Sequence, residues 1–464
     1  MDRRCSIFSG FRQRHFRASV WPIAFALLAG TGNAQAPVER MNKVVQQYAD
    51  AQMFMGSVLV AQHRKVLFSK SYGWADVEWN IPNTPTTKFQ IASVTKQFTA
   101  ASILLLEERG KLKTEDPVKK YLPDVPAAWD KITIYNLLTM TSGIAGDAAK
   151  YEPGPPDRLV FRDEPLDCQP GENWDYTNES YMVLGYLVEK ISGQSYPDFL
   201  MENIFKPLGM NDSGLNSNAA IIPHRASGYL PGADAMENAE RPNFTGAGLA
   251  SGGIYSTTED MLRWENGLFG GKLLTPGSLR KMTTPFKHDY ACGLYVRHVD
   301  GRLLIDYDGN NIGFNAQMAY YPEDELAVIV LANLNGYVTG RINTALAGLM
   351  HWETVAFAPP PREIPLPKDV LVQYVGTYEF PDSQLVLTLE GNHLTAHFGA
   401  TFPLFAESET KFFSKGWDLQ FEFSKNDKGE FTSVTKHLNG EEEKGIRNLA
   451  WKAPQYWTIP SLVP

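Results

Sequence analysis

Apolar positions Val94, Phe98, Ala101, Leu105 and Leu106 recur at helical spacing, which predicts a long amphipathic helix opening at or near Ser93 and stopping at Gly110. The same period predicts helices over 181–191, 257–268 and 340–352, and a short one over 132–138 closed by a turn at 141–143. Residues 57–60 and 66–69 are strand-like runs joined by polar 62–65, so 51–72 reads as a hairpin. Residues 303–305, 316–321 and 327–331 read as antiparallel neighbours, with helix 340–352 packed on that sheet. The glycine-rich stretch 246–253 lacks the strand and spacing of a dinucleotide fingerprint and reads as a tight loop.

After the proline-rich stretch 358–367, a stiff linker, the pattern changes to short alternating runs. Residues 385–389 and 419–423 end in turn residues Gly391-Asn392 and Asn426 to Gly429, which predicts a separate all-β domain over 368–464. The chain's 464 residues exceed one typical domain and suffice for a large core.

The N-terminus is a different object. Five arginines, a short apolar run over 20–30 and Ala34-Gln35-Ala36 give residues 1–36 the form of a cleaved secretion signal, so export to the periplasm or beyond is expected. The formal net charge is −9; residues 1–36 contribute +4, which leaves −13 for the rest and argues against nucleic acid as a partner. Cys168 and Cys292 could pair in an oxidising compartment, but two cysteines make no framework, and two separate thiols are expected.

Ser93 at a helix start gains orphan backbone N–H groups for an oxyanion, and Lys96 one turn on can take its proton. Ser-x-x-Lys occurs four times, at Ser93/Lys96, Ser278/Lys281, Ser408/Lys411 and Ser433/Lys436, so the motif alone decides nothing. Ser433 and Lys436 fall in a strand-like run, where an offset of three puts them on opposite faces. Ser408/Lys411 has a similar extended or turn setting, and Ser278/Lys281 reads as a solvated surface turn. Only Ser93 opens a long helix. Tyr176 is the candidate third group for passing protons, and Asn178 offers an amide to hold Lys96 and dock a substrate carbonyl. Gly-x-Ser-x-Gly and His-Glu-x-x-His are absent, which argues against an α/β-hydrolase elbow and a zinc site. No cofactor and no metal are expected.

Together these residues resemble the serine β-lactamase and DD-peptidase superfamily, nearest to its class C-like branch of carboxypeptidases, D-aminopeptidases and esterases. The resemblance runs from about Gly56 to Trp352. It covers Phe-Gln-Ile-Ala-Ser-Val-Thr-Lys-Gln-Phe-Thr-Ala at 89–100, Leu122-Pro-Asp124, Ile132-Thr-Ile134, Leu137-Leu-Thr139, Thr141-Ser-Gly143, Pro170-Gly171, Tyr176-Thr-Asn178, Pro207-Leu-Gly-Met210 and Ser251-Gly-Gly253 leading to Ser256-Thr-Thr-Glu-Asp260. It implies an α+β fold: an antiparallel sheet flanked by helices plus a helical region over 37–357, with the site between them. It also implies Ser93 as nucleophile, Lys96 and Tyr176 as the proton-handling pair, and Asn178 as a substrate contact.

The third motif departs from that pattern. Where the family carries Lys-Thr-Gly or His-x-Gly, this chain has Tyr307-Asp308-Gly309, between Asp306 and Asn310. By the resemblance Tyr307, Asp308, Gly309 and Asn310 are substrate-binding: Asn310 supplies the second oxyanion N–H, and Gly309 lets substrate lie against the strand. Tyr307 carries no positive charge, so substrates with a free carboxylate are expected to bind less well. An ester or amide, or a substrate bearing an amine, suits the acidic rim better. The expected function is a serine hydrolase acting through a Ser93 acyl-enzyme on a small ester, D-amino acid amide or peptide. A catalytically weakened penicillin-binding-like protein, and a β-lactamase or D-Ala-D-Ala carboxypeptidase, stay open as alternatives. Partners are then a small molecule or peptide, with cell-wall association a further option; the sequence leaves the oligomeric state open.

Overall fold

The computed structural model describes residues 37–146, 159, 161–241, 248–351, 359–438 and 440–448. The expected signal at 1–36, the last residue of the expected helix over 340–352, and Ala358 at the start of the expected linker lie outside the described residues. The described chain forms two compact units, 37–230 with 237–359, and 360–448 with 231–236.

The first unit is built on a six-stranded antiparallel sheet. In chain order its strands are β1 (Gly56–Gln62), β2 (Lys65–Tyr72), β3 (Tyr295–Val299), β4 (Arg302–Asn311), β5 (Phe314–Tyr321) and β6 (Leu326–Ala332). Their spatial order is β3-β4-β5-β6-β1-β2, so the N-terminal hairpin docks on a C-terminal meander. The hairpin and β4 to β6 match the sequence pattern, whereas β3 has no counterpart in it. Every residue of β6 is buried, as expected of a strand covered on both faces. Each such Val, Leu or Ile contributes roughly 1.5–3 kcal/mol of burial.

Adjacent residues on β5 show what covers those faces. The Tyr320 ring stacks on Phe269 with centroids 4.2 Å apart, and the Tyr321 ring meets His351 at 4.5 Å. Neighbouring strand side chains point to opposite faces, so the helices carrying Phe269 and His351 flank the sheet on either side. The helices used below are α1 (Pro37–Asp50), α2 (Thr95–Glu108), α3 (Ile134–Leu138), α4 (Asn178–Ser192), α5 (Thr258–Phe269), α6 (Pro276–Thr283) and α7 (Val338–His351). Helix α1 packs beside α7 and β2.

Helix α2 corrects the sequence reading. Thr95 through Leu106 are all buried, so it is the central helix of the unit and not an amphipathic surface helix. Its polar residues are satisfied internally: Thr95 Oγ1 accepts from Ile254 N, Gln97 Oε1 accepts from Trp264 Nε1, and Thr99 Oγ1 lies 2.7 Å from both Tyr196 Oη and the Ala250 carbonyl. Two other readings change. Residues 276–283 form α6, with Lys281 paired to Glu107 and Glu115, not a solvated turn. The described part of the glycine-rich stretch is a short helix, Leu249–Gly252, leading to the strand Ile254–Ser256.

The second unit is all-β, as the alternation indicated, and closes into an eight-stranded barrel: β7 (Gly376–Glu379), β8 (Gln384–Glu390), β9 (His393–Phe398), β10 (Ala400–Ala406), β11 (Lys411–Phe413), β12 (Leu419–Lys425), β13 (Phe431–Leu438) and β14 (Glu441–Arg447). Inward Tyr374, Tyr378, Phe412, Phe421, Phe423 and Phe431 fill it. Ile364 N donates to Ala406 O, so the end of the expected linker belongs to this unit. Cys168 and Cys292 are both free thiols. Among the described residues, no helix is long and apolar enough to cross a membrane, and no group of three or more potential metal ligands is present.

Glu265 on α5 is fully enclosed, and burial pushes its carboxyl well above its usual 4.5. A raised native value means that its contribution to stability is full below about 4.5 and is lost as pH rises toward the native value. Glu265→Gln is therefore expected to gain stability relative to wild type as pH increases, by up to about 1.4 kcal/mol per pH unit within that window. Urea unfolding at pH 5 and pH 8 measures this; equal differences at both would contradict it.

Candidate active site

Ser93 sits in a single 3-10 turn, Ala92–Val94, that feeds directly into α2. The turn is pinned from three directions. Ile91 N donates to Ile254 O at 3.0 Å. Asn311 Nδ2 at the end of β4 donates to Gln90 Oε1 at 3.0 Å. Gly309 on β4 lies flush against the turn: a Cβ there would stand 2.2 Å from Ile91 O and 3.1 Å from Ser93 N. Ala92, next to the serine, holds φ at +47°, a conformation that non-glycine residues adopt only when their surroundings impose it.

Lys96 is completely buried, and its ammonium has three acceptors for its three protons: Ser93 Oγ at 3.0 Å, Asn178 Oδ1 at 2.9 Å and the Ser251 carbonyl at 2.8 Å. The rings of Tyr176 and Tyr181 add π-faces 4.9 and 5.8 Å from Nζ. Tyr176 Oη donates to Ser93 Oγ at 2.9 Å. Thr177, the N-cap of α4, is extended, with φ −132° and ψ 136°. Its two neighbours therefore project to one side, bringing Tyr176 to Ser93 and Asn178 to Lys96, while Thr177 Oγ1 turns to Ser180. The backbone before it is held by Asp175 N donating to Met140 O.

Ser93, Lys96, Tyr176 and Asn178 thus converge. The third-motif residues divide. Tyr307 is 1 % exposed, with its hydroxyl toward Tyr176 and Tyr290, so it stands behind Tyr176 rather than on a surface open to substrate. The space beside Gly309 holds the Ser93 turn, so the missing side chain lets the strand approach the nucleophile turn. Asn310 is exposed, its Oδ1 accepting from Asn315 and its Nδ2 3.3 Å from Asp308 Oδ2. The acidic rim is also reduced. Asp306 is buried and paired with Arg297; burial pushes its carboxyl up to about 6 against the pull of that guanidinium. Arg297 is in turn held protonated by Asp306 and Asp308.

The sequence pattern does not mark the Ser251 carbonyl, Tyr181 or Tyr290 as site residues. Ser251 acts through its backbone oxygen, which no side-chain pattern reveals, although Ser251-Gly-Gly253 belongs to the resemblance. The remaining Ser-x-x-Lys pairs have other duties. Lys281 pairs with acidic residues; Ser408 Oγ accepts from Lys411 N; Lys436 in β13 pairs with Glu443.

Gly309→Ala is expected to displace the Ser93 turn, costing about 1–3 kcal/mol by overpacking and slowing fluorophosphonate labelling of Ser93. Urea unfolding and labelling rate measure both, and wild-type values in each would refute the close-approach role.

Residues 41–349 match the family model described as Beta-lactamase, and 360–447 match a domain of unknown function, DUF3471. The chain is 32 % identical over 318 residues to penicillin-binding protein PbpX of Bacillus subtilis (strain 168), covering 67 % of this chain and 79 % of that protein. A penicillin-binding protein structure from Bacillus halodurans superposes with a TM-score of 0.59 at 29 % identity, over 66 % of this chain and 98 % of that one. An octameric penicillin-binding protein homologue from Pyrococcus abyssi shares the fold, with a TM-score of 0.60 at 24 % identity, over 89 % of this chain and all of that one. The chain belongs to the Beta-lactamase family, within the serine β-lactamase and DD-peptidase superfamily of serine hydrolases.

Proposed function

We propose that the protein is an exported serine hydrolase that forms an acyl-enzyme on Ser93 with an ester or amide: a small ester, a D-amino acid amide or a peptide. The observation that carries this is the approach of Lys96 Nζ and Tyr176 Oη to within 3.0 and 2.9 Å of one hydroxyl, although Tyr176 is 83 residues away. Ser93 Oγ bonds to the carbonyl carbon, and its proton passes to the Lys96 and Tyr176 pair. The backbone N–H groups of Ser93 and Asn310 hold the oxyanion; the contact of Gly309 with the Ser93 turn supports that pairing. The pair returns the proton to the leaving group, and water then releases the acid.

Specificity follows from charge. The third motif offers neutral Tyr307, and the nearby guanidinium of Arg297 is set against Asp306 and Asp308. Among the described residues of that motif and its neighbours, a substrate carboxylate finds no uncommitted cation, and losing the anchor of a desolvated carboxylate costs ~2–5 kcal/mol. Efficient turnover of penicillins or D-Ala-D-Ala ends is therefore disfavoured. The same neutral Tyr307 favours a second reading, a binding protein that keeps the cleft without the chemistry.

Ser93→Ala should lower p-nitrophenyl ester turnover by roughly 10³-fold or more and abolish fluorophosphonate labelling. Full activity in that variant would end the acyl-enzyme reading, and wild-type protein that never labels would favour the binding protein. In the same assays nitrocefin is expected to turn over poorly; efficient turnover, undiminished in Asp308→Asn, would contradict the charge argument.

A further inference from the structure

A row of phenols leads away from Ser93. Beyond Tyr176, the Tyr307 hydroxyl reaches two others, Tyr176 Oη at 3.5 Å and Tyr290 Oη at 3.3 Å. Tyr290 Oη donates to Tyr181 Oη at 3.4 Å, and Tyr181 Oη donates to the Leu138 carbonyl at 2.9 Å. The rings are packed together, Tyr290 edge-on to Tyr307 and Tyr295 stacked on it at 5.7 Å.

Proton accounting gives this row a direction. Each phenol has one proton to donate. The Leu138 carbonyl can only accept, so the proton of Tyr181 is committed to it. The oxygen of Tyr181 then accepts from Tyr290, which commits that proton too. Tyr290 can show Tyr307 only a lone pair. The proton of Tyr307 is therefore the one with two acceptors, Tyr290 and Tyr176. Burial raises Tyr181, Tyr290 and Tyr307 well above the usual phenol range, so all three keep their protons. The contacts of 3.3 to 3.5 Å are long for neutral hydroxyls and shorten when the acceptor becomes charged.

We propose that Tyr307 is a positioning residue: its hydroxyl, kept a donor by the row anchored at Leu138, turns to Tyr176 when the Tyr176 oxygen is negative and to Tyr290 when it is neutral. This rests on the acyl-enzyme reading above. In the step it serves, Tyr176 has first released its own proton to solvent, so that its oxygen accepts from Ser93 instead of donating to it; the Ser93 O–H bond then breaks, an O–H bond forms on the Tyr176 oxygen, and the negative charge passes from that oxygen to the substrate oxyanion as the Oγ–C bond forms. The leaving group later takes the proton from Tyr176. Tyr307 thus supports the proton acceptor without touching substrate, and Tyr290 competes with Tyr176 for its hydrogen bond.

The test uses the full chain, p-nitrophenyl ester turnover across pH, and four variants: Ser93→Ala, Tyr307→Phe, Tyr290→Phe and the double phenylalanine variant. Tyr307→Phe is expected to lower kcat roughly ten- to a hundredfold with KM nearly unchanged, and to move the acid limb of the kcat profile to higher pH. Tyr290→Phe removes the competing acceptor, so its acid limb should move the opposite way, to lower pH. The double variant should match Tyr307→Phe alone, because Tyr290 acts only through Tyr307. A merely structural role would not give shifts of opposite sign. Should Tyr307→Phe fail to fold, the direction of the Tyr290→Phe shift decides. Wild-type kinetics in Tyr307→Phe, or limbs moving the same way in both single variants, would overturn the inference alone. Wild-type turnover that survives Ser93→Ala would instead overturn the acyl-enzyme reading and this inference with it.

Discussion

The first unit is organised around one buried positive charge. Taking an ammonium out of water costs several kcal/mol unless its protons are all received. Lys96 meets that condition with acceptors from three places: its own helical turn, the start of α4 82 residues away, and a backbone carbonyl 155 residues away. Removing any acceptor leaves a buried donor stranded, so the charge enforces the convergence of segments that share no sequence proximity. The burial of α2 on every side serves the same end, since a frayed or solvated helix would let water compete for Nζ. Strand β4 adds the fourth wall, and only a residue without a side chain at 309 permits it to come that close.

Much of this was legible, for reasons that can be named. The β1–β2 hairpin and strands β4 to β6 show because short apolar runs bounded by turn residues survive in the sequence, unbroken where both faces are covered as in β6. Tyr176-Thr177-Asn178 shows because an extended tripeptide before a helix carries both functional side chains on one side. The errors have equally specific causes. Thr95, Gln97, Thr99 and Ser102 imitate a solvated helix face, yet each is hydrogen-bonded within the core, which a one-dimensional pattern cannot distinguish. Strand β3 lacks clear alternation, since Arg297 turns inward to a buried carboxylate. Tyr181 and Tyr290 read as ordinary core aromatics, because only coordinates reveal that their hydroxyls align.

Third-motif chemistry also differs from what its letters suggest. Asp306 and Asp308 on β4 flank Tyr307 in sequence, but alternation along a strand separates them from it in space. The carboxylates belong with Arg297, and the phenol belongs with Tyr176. A site that replaces a cation by a neutral donor changes which ligands it holds and how its proton acceptor is supported, and those are independent consequences of one substitution.

The second unit carries a consequence of its own in how its sheet ends. Strand β14 returns to β7 through Tyr378 and Glu379, and Arg447 fastens the seam by donating to the carbonyls of Phe431 and Val375. A ring of strands has no row of unpaired main-chain groups for an incoming peptide to zip onto. Whatever recognises this barrel must read side chains on its outer wall or at its rims, and self-association by strand exchange would first require that arginine latch to open.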